Sequence, residues 1–129
     1  MLTVLGLCSA LLMSVPAPQA TAANLDIVVE ALGRGDAATA SGYFDKTIEL
    51  VLPGVEDILT QAQARTRLAA FFERHPVSGF TRVHGGTSGG EEGAYVIGTL
   101  SSGGDKFRVF VYGRGAATPV VQELRIEAE

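Results

Sequence analysis

The sequence predicts an α+β fold in which helices in the first half of the chain precede a sheet in the second half. In Gln61–Arg74, apolar residues recur at helical spacing, which predicts an amphipathic helix. Strand-like runs separated by glycine-rich turns follow it: residues 80–84, 95–100, 107–112 and 120–126. Such spacing is typical of consecutive antiparallel hairpins, so we expect the helices to pack on one face of a meander.

Residues 107–112 are the segment around which we expect the sheet to form. One face of this strand would carry Phe107, Val109 and Val111. The other face would carry Arg108, Phe110 and Tyr112. A strand with apolar groups on both faces is usually central, covered by helices on one side and by a helix, partner or ligand on the other.

The N-terminal segment has the composition of a secretory signal peptide. Residues 1–23 contain no charged residue, residues 2–15 form an apolar run, and Ala20-Thr21-Ala22 fits a small-residue cleavage site. The run is shorter than the roughly 20 apolar residues of a spanning helix. We therefore expect a signal peptide over residues 1–22, export to the periplasm or the medium, and one domain over residues 23–129. The alternative is an uncleaved apolar helix that packs on the domain or lies in a membrane.

The charge and cysteine content argue against several classes of partner. The chain has 10 basic and 14 acidic residues, interspersed, and a formal net charge of −4. No basic patch for nucleic acid and no polybasic stretch for anionic lipid is present in the sequence. The single cysteine, Cys8, lies in the predicted signal peptide, so we expect no disulfide in the mature domain.

Capping residues set the expected ends of the first helices. Asn24 or Asp26 can cap a first helix with Ile27, Val28, Ala31 and Leu32 on its inner side. Asp36 can cap a second short helix over residues 37–43.

The next signals predict a strand and the long helix. Residues 46–52 alternate between apolar and polar, which predicts a half-buried strand, and Pro53-Gly54 ends it with a turn. Residues 55–59 can be a short extended piece or a helical approach. Thr60 is a good cap for Gln61–Arg74.

Several runs of sequence resemble a known family. They include Ser41-Gly42-Tyr43-Phe44-Asp45, Ile48-Glu49-Leu50-Val51-Leu52-Pro53, Tyr95-Val96-Ile97-Gly98-Thr99-Leu100, Phe107-Arg108-Val109 and Gln122-Glu123-Leu124-Arg125-Ile126-Glu127. As a set, over residues 24–128, they are similar to small exported bacterial proteins classed as a domain of unknown function. The resemblance implies the nuclear-transport-factor-two-like fold, a curved antiparallel sheet wrapped round N-terminal helices to form a cone. Relatives in this fold group use the cone cavity for enolisation, dehydration or small-ligand binding, or leave it filled, and many form dimers through the sheet.

The resemblance implies a first group of candidate binding residues near the mouth of the cone. Tyr43, Asp45 and Glu49 lie where the second helix meets the first strand. The competing interpretation is helix-to-sheet packing for the tyrosine and turn or solvent roles for the two acids.

The two histidines are the best candidates for a general base, and in an enzyme of this fold Tyr43, Asp45 and Glu123 could act with His84. His84 lies at the end of a strand, on the parity of Phe80 and Arg82, and could reach the cavity or lie on a wet sheet face. His75 ends a helix, where a cation favours the helix dipole, and is predicted to have a capping role.

A charged pair is predicted on neighbouring strands of the meander. Arg108 and Glu123 could be cross-strand partners, and Glu123 shares its face with Arg125. The pair could orient the carboxylate of a ligand or a dimer partner, together with Tyr112, or it could be a structural ion pair.

No recognised catalytic, metal or nucleotide motif is present in the sequence. Metal binding needs three or four ligands, and neither a histidine-rich nor a cysteine cluster occurs. The glycines at 85–90 lack a lysine and a following helix, so they do not match a phosphate loop. We therefore predict no metal, no cofactor and no catalytic residue.

Three functions remain open from the sequence. The favoured one is a non-catalytic exported module that binds a small apolar or amphipathic ligand, or a protein partner, through the cone cavity or the outer sheet face. The alternative is an isomerase- or lyase-like enzyme with acid and base residues in the cone. The third is a structural homodimer formed through the sheet.

Overall fold

The computed structural model describes residues 20–88, 93–115 and 120–129, which form three helices and six strands. The helices are α1 (Ala20–Gly33), α2 (Ala37–Ser41) and α3 (Gln61–Arg74). The strands are β1 (Phe44–Leu52), β2 (Val55–Thr60), β3 (Gly79–Ser88), β4 (Gly93–Ser102), β5 (Asp105–Arg114) and β6 (Val120–Ala128). The α+β class is confirmed, and the segment after Pro53-Gly54 is a strand of the sheet.

The N-terminal prediction concerns residues that lie mostly outside the described part. The predicted cleavage position, after Ala22, falls in the first turn of α1. Every described buried residue lies at or after Leu25, so a chain that begins at Ala23 would retain all of them. In the described ranges, no helix has the length and apolarity needed to cross a bilayer.

Two of the predicted helix caps are confirmed. The Thr60 hydroxyl accepts a hydrogen bond from the backbone N–H of Gln63 (3.2 Å), and the Gln63 side chain accepts one from the N–H of Thr60 (3.1 Å). This reciprocal capping box fixes the start of α3. Asp36 caps α2 by accepting from the backbone N–H of Thr39 at 3.0 Å, and the helix ends at Ser41, earlier than expected.

The predicted cap of the first helix is wrong. α1 begins at Ala20, and the residues before Asn24 are good or neutral helix formers that do not interrupt it. Asp26 therefore lies inside the helix, where its carboxylate binds Arg82 of β3. Of the four residues predicted on its inner side, Val28, Ala31 and Leu32 are fully buried, whereas Ile27 is 37% exposed.

The six strands form one curved sheet in the order β2-β1-β6-β5-β4-β3. The predicted meander is confirmed, because β3, β4, β5 and β6 pair antiparallel in chain order. One pair departs from the antiparallel pattern: β6 lies parallel to β1. The reason is that α3 carries the chain from β2, at one edge of the sheet, to β3, at the other, so the meander runs inward and its last strand meets β1.

The helices cover one face of the sheet, here called the inner face. The fully buried side chains between this face and the helices include Leu25, Val28, Leu32, Ile48, Leu50, Leu68, Leu100, Val109, Val111, Leu124 and Ile126. Phe107 adds a ring that contacts Phe71 of α3 edge to face, with the ring centroids 5.2 Å apart. β5 is thus a central strand, as the sequence predicted, and the opposite, outer face of the sheet is left uncovered by the helices.

Candidate functional site

Outer-face side chains form three rows across the sheet, because directly paired residues of neighbouring strands point the same way. The first row consists of Ile58, Glu49, Glu123, Tyr112 and Tyr95. The second row consists of Glu56, Val51, Arg125, Phe110, Ile97 and His84. The third row consists of Glu127, Arg108 and Thr99. Most of the predicted site residues are therefore brought together on one surface.

The centre of this surface is an aromatic patch, formed by Tyr95, Ile97, Phe110 and Tyr112. All four side chains are half-buried although no helix lies over them. The rings of Tyr95 and Phe110 are stacked, with centroids 6.4 Å apart and planes inclined by 24°. Such a patch keeps apolar area partly in contact with water, which marks it as a candidate contact surface.

His84 lies at the border of the aromatic patch. The register of β3 against β4 shifts between Arg82 and His84, so Val83 is an extra residue and the parity reverses there. The prediction that His84 shares the parity of Phe80 and Arg82 is therefore wrong. His84 faces outward, and its Nε2 lies 2.6 Å from the hydroxyl oxygen of Tyr95.

A cluster of carboxylates surrounds one guanidinium beside the aromatic patch; we call it the Arg125 cluster. Arg125 donates to Glu123 in a short contact, its Nη2 lies 3.3 Å from Glu49, and its Nη1 lies 3.9 Å from Glu127. The hydrogen bond to Glu123 is the main cause that raises the pKa of Arg125, followed by the charge of Glu123. The cluster holds three carboxylates for one cation, so it is a net negative surface.

Arg108 does not lie opposite Glu123, contrary to prediction. The observed register pairs Arg108 with Glu127, and Glu123 with Tyr112. In the part of the chain that the structure describes, Arg108 makes no side-chain hydrogen bond or ion pair, and it is exposed. It lines a shallow groove of about 250 Å³ together with Ile97, Phe110, Arg125 and Glu127.

Two predicted site residues do not join this surface. Tyr43 packs partly buried against the core, and its carbonyl oxygen accepts from the backbone N–H of Val121 at 2.7 Å. Asp45 accepts from the backbone N–H of its neighbour Lys46 at 2.7 Å. Both roles match the structural interpretation considered for them. His75 ends α3, as expected, with its N–H bonded to the carbonyl of Phe71.

Sequence reasoning missed Arg125 as the centre of the cluster, and Tyr95, Ile97 and Phe110 as members of the patch. The signal was present in part. Tyr95 and Ile97 alternate with buried Ala94 and Val96 in β4, which predicts that they share a face. The alternation does not give the register of β4 against β5, which places Tyr95 and Ile97 beside Phe110.

The interior between sheet and helices is filled with apolar side chains. The buried polar residues in the described part are Ser41 and Ser102, and each hydroxyl donates to a backbone carbonyl. Side chains such as Ile48, Leu68 and Val109 have no accessible surface, so a ligand-sized cavity does not adjoin them. Among the described residues, no three histidine, cysteine or acidic side chains converge to hold a metal ion.

This architecture defines the class of protein, a cone-shaped α+β domain of the NTF2-like group. An NTF2-like protein of unknown function from Cytophaga hutchinsonii has a similar structure, with a TM-score of 0.60 at 8% identity over 84% of this chain and 89% of that one. At that identity the likeness shows the fold alone.

The chain belongs to the domain-of-unknown-function family DUF4783, whose model matches residues 25–127. A DUF4783 family protein from Bacteroides ovatus is 28% identical over 80% of this chain and 93% of that one, with a TM-score of 0.73. One from Bacteroides uniformis is 26% identical over 81% of this chain and 95% of that one, with a TM-score of 0.74. No curated protein matches the chain. The family and fold expected from the resemblance are confirmed.

Proposed function

We propose that this domain is a non-catalytic interaction module that acts through its outer sheet face, and that its partner there is a second copy of the chain. The observation that carries the proposal is the aromatic patch. In a sheet with helices on one face only, the other face is normally polar and solvated. Here it carries Tyr95, Ile97, Phe110 and Tyr112 in adjoining rows. Aromatic side chains of this kind are enriched at protein interfaces.

The charges beside the patch favour a second copy over other partners. The Arg125 cluster has an excess of carboxylates, and Arg108, which lies opposite Glu127 on the neighbouring strand, makes no ion pair among the described residues. In a two-fold interface the same patch meets itself, so every contact occurs twice. A two-fold axis between β5 and β6, along the strands, would bring Arg108 of each copy toward the Arg125 cluster of the other. The surface is thus self-complementary in charge as well as apolar at its centre.

The cone cavity is the less favoured binding surface. An isomerase or lyase of this fold would need an acid or base inside the cone. The described interior offers two serine hydroxyls, both already hydrogen-bonded. His84, the best general-base candidate of the sequence, lies on the outer face instead.

The test is the oligomeric state of the exported protein. We expect sedimentation velocity to show a dimer at micromolar concentration, and Phe110→Glu to convert it to a monomer. Val83→Glu is the matched control, because Val83 is 68% exposed but lies outside the aromatic patch. A monomeric wild-type protein, or a Phe110→Glu variant that remains dimeric, would contradict the proposal.

Export is part of the same proposal and has its own test. It is supported by the uncharged apolar segment and by the Ala20-Thr21-Ala22 pattern. We expect intact-mass analysis of the protein recovered from cells that produce the full chain to give a species beginning at Ala23, outside the cytoplasm. Recovery of the uncleaved chain from the cytoplasm would contradict it.

A further inference from the structure

We propose that a groove at the end of the sheet, separate from the outer face, binds a small amphipathic anion such as a medium-chain carboxylate. The groove has two adjoining parts that meet at Pro53 and His75. The larger part, of about 580 Å³, lies against Phe107 at the start of β5. The smaller, of about 100 Å³, lies against α3.

The smaller part has the chemistry of an anion site. Arg67, Phe71 and Arg74 follow one another at helical spacing and line it with His75, and no acidic residue is among its lining residues. Neither arginine makes an ion pair or a side-chain hydrogen bond in the described residues. Two guanidinium groups on one helix face, unpaired and without a carboxylate between them, fit one carboxylate head group.

The larger part has the size and floor of a site for an apolar body. Its volume falls in the range of about 300–1,000 Å³ that small-molecule sites occupy. The His75 ring lies 4.9 Å from the ring of Phe71 and 5.1 Å from that of Phe107, measured between centroids, so the floor is a continuous aromatic surface. Asp105, Lys106 and Glu129 also line this part, so an apolar tail would lie against Phe107 and beside these charged side chains.

The imidazole of His75 lies where the two parts meet. It is half-buried, and its ring nitrogens have no hydrogen-bond partner among the described residues. A head group held by Arg67 and Arg74 would extend its first carbons past this ring toward Phe107. Because the two arginines lie in the smaller part of the groove, the head group of the ligand would lie on α3 and its tail would point toward β5.

The experiment uses two probes with the same tail and opposite head groups, octanoate and octylammonium. Each is titrated into the isotopically labelled exported protein, and backbone amide shifts are followed by NMR. We expect octanoate to shift the amides of His75, Gly104 and Lys106 saturably and to bind at least roughly tenfold more tightly than octylammonium. Arg67→Gln or Arg74→Gln should weaken octanoate binding about tenfold, as expected for the loss of a charge-assisted hydrogen bond.

Arg65→Gln is the matched control, because Arg65 is an exposed arginine of the same helix that lines a different groove, beside α2. It should leave octanoate binding unchanged. Three results would overturn the proposal: equal binding of the two probes, an equal effect of Arg65→Gln and Arg74→Gln, or no saturable shifts at octanoate concentrations on the order of 10 mM. Shifts confined to the aromatic patch would assign the ligand to the outer face and would also overturn it.

Discussion

Oδ1 of Asp26 lies 2.6 Å from Nη1 of Arg82, and this ion pair joins residues that are 56 positions apart in the chain. It links the middle of α1 to β3, the strand at one edge of the sheet. The Asp26 and Arg82 side chains are 52% and 45% exposed, respectively, so water and salt screen the attraction. The contact orients α1 more than it stabilises the domain.

The first prediction concerns this pair. We expect Asp26→Asn to lower the free energy of unfolding by about 0.2–1 kcal/mol, as is usual for an exposed pair. A double-mutant cycle with Arg82→Gln, measured by urea denaturation, should give a coupling energy of the same size that decreases at high salt. Strictly additive effects of the two substitutions would show that the contact contributes nothing.

The second prediction concerns the capping box of α3. Thr60→Ala removes the hydroxyl that accepts from Gln63, and we expect a loss of about 0.5–2 kcal/mol in the free energy of unfolding. Thr60→Ser keeps the hydroxyl and serves as the control, with a much smaller loss. Equal losses in the two variants would mean that the methyl group, rather than the hydrogen bond, matters at this position.

The third prediction concerns pH. The hydrogen bonds from the side chain and then the backbone of Thr39 are the main causes that lower the pKa of Asp36. Because the pKa is lower in the folded state, the contribution is present above the unfolded value of about 3.9 and is lost as the pH falls through the folded value. Asp36→Asn keeps a capping oxygen but does not titrate. We expect the stability of the wild-type protein to fall more steeply than that of this variant between about pH 4 and pH 2, and parallel curves would contradict the assignment.

The fourth prediction concerns the close approach of β3 and β4. A Cβ atom at Gly98 would lie 2.6 Å from the backbone oxygen of Thr81 and would also meet the ring of Phe80. We expect Gly98→Ala to destabilise the domain by about 1–3 kcal/mol through overpacking. Gly79→Ala, on the same pair of strands, has open space around its Cβ position and should have little effect in the same denaturation assay.

Sequence reasoning succeeded where the signal is local. α3 was predicted with its cap and both ends, because amphipathic spacing and the Thr60 signal act within a few residues. The two faces of β5 were also predicted, since alternation along a strand depends on that strand alone.

Pairing between distant strands could not be predicted in the same way. The extra residue Val83 reverses the face of His84, and a further register shift after Tyr112 brings Glu123, rather than Gln122, opposite Tyr112. One residue more or less in a strand changes every partner beyond it. Strand register brings together the residues of the aromatic patch and of the Arg125 cluster. From the sequence alone, only the strands that carry these residues could be predicted.

The fifth prediction tests the charge pattern of the proposed dimer. Arg108→Glu should weaken self-association roughly tenfold or more, because each copy would then present a like charge to the Arg125 cluster of the other. Adding Glu127→Arg should restore much of the affinity, since it supplies a cation to that cluster in the row of residue 108. Arg65→Glu, an equal charge change on α3, is the control and should have no effect in sedimentation velocity. A double variant weaker than Arg108→Glu alone would contradict the pairing.

The parallel contact between β1 and β6 has a consequence for how the molecule is assembled in time. β6 is the last of the described strands in chain order, yet it lies in the middle of the sheet, and the hairpin of β1 and β2 joins the meander only through it. Arg125 and Glu49, which contact each other across this seam, are 76 positions apart. Until β6 docks between β1 and β5, the sheet consists of two parts with an open seam between them, and such long-range closure is slow. The hairpin of β1 and β2 therefore becomes part of the sheet only when β6 pairs with both β1 and β5, and the fold cannot be completed in chain order.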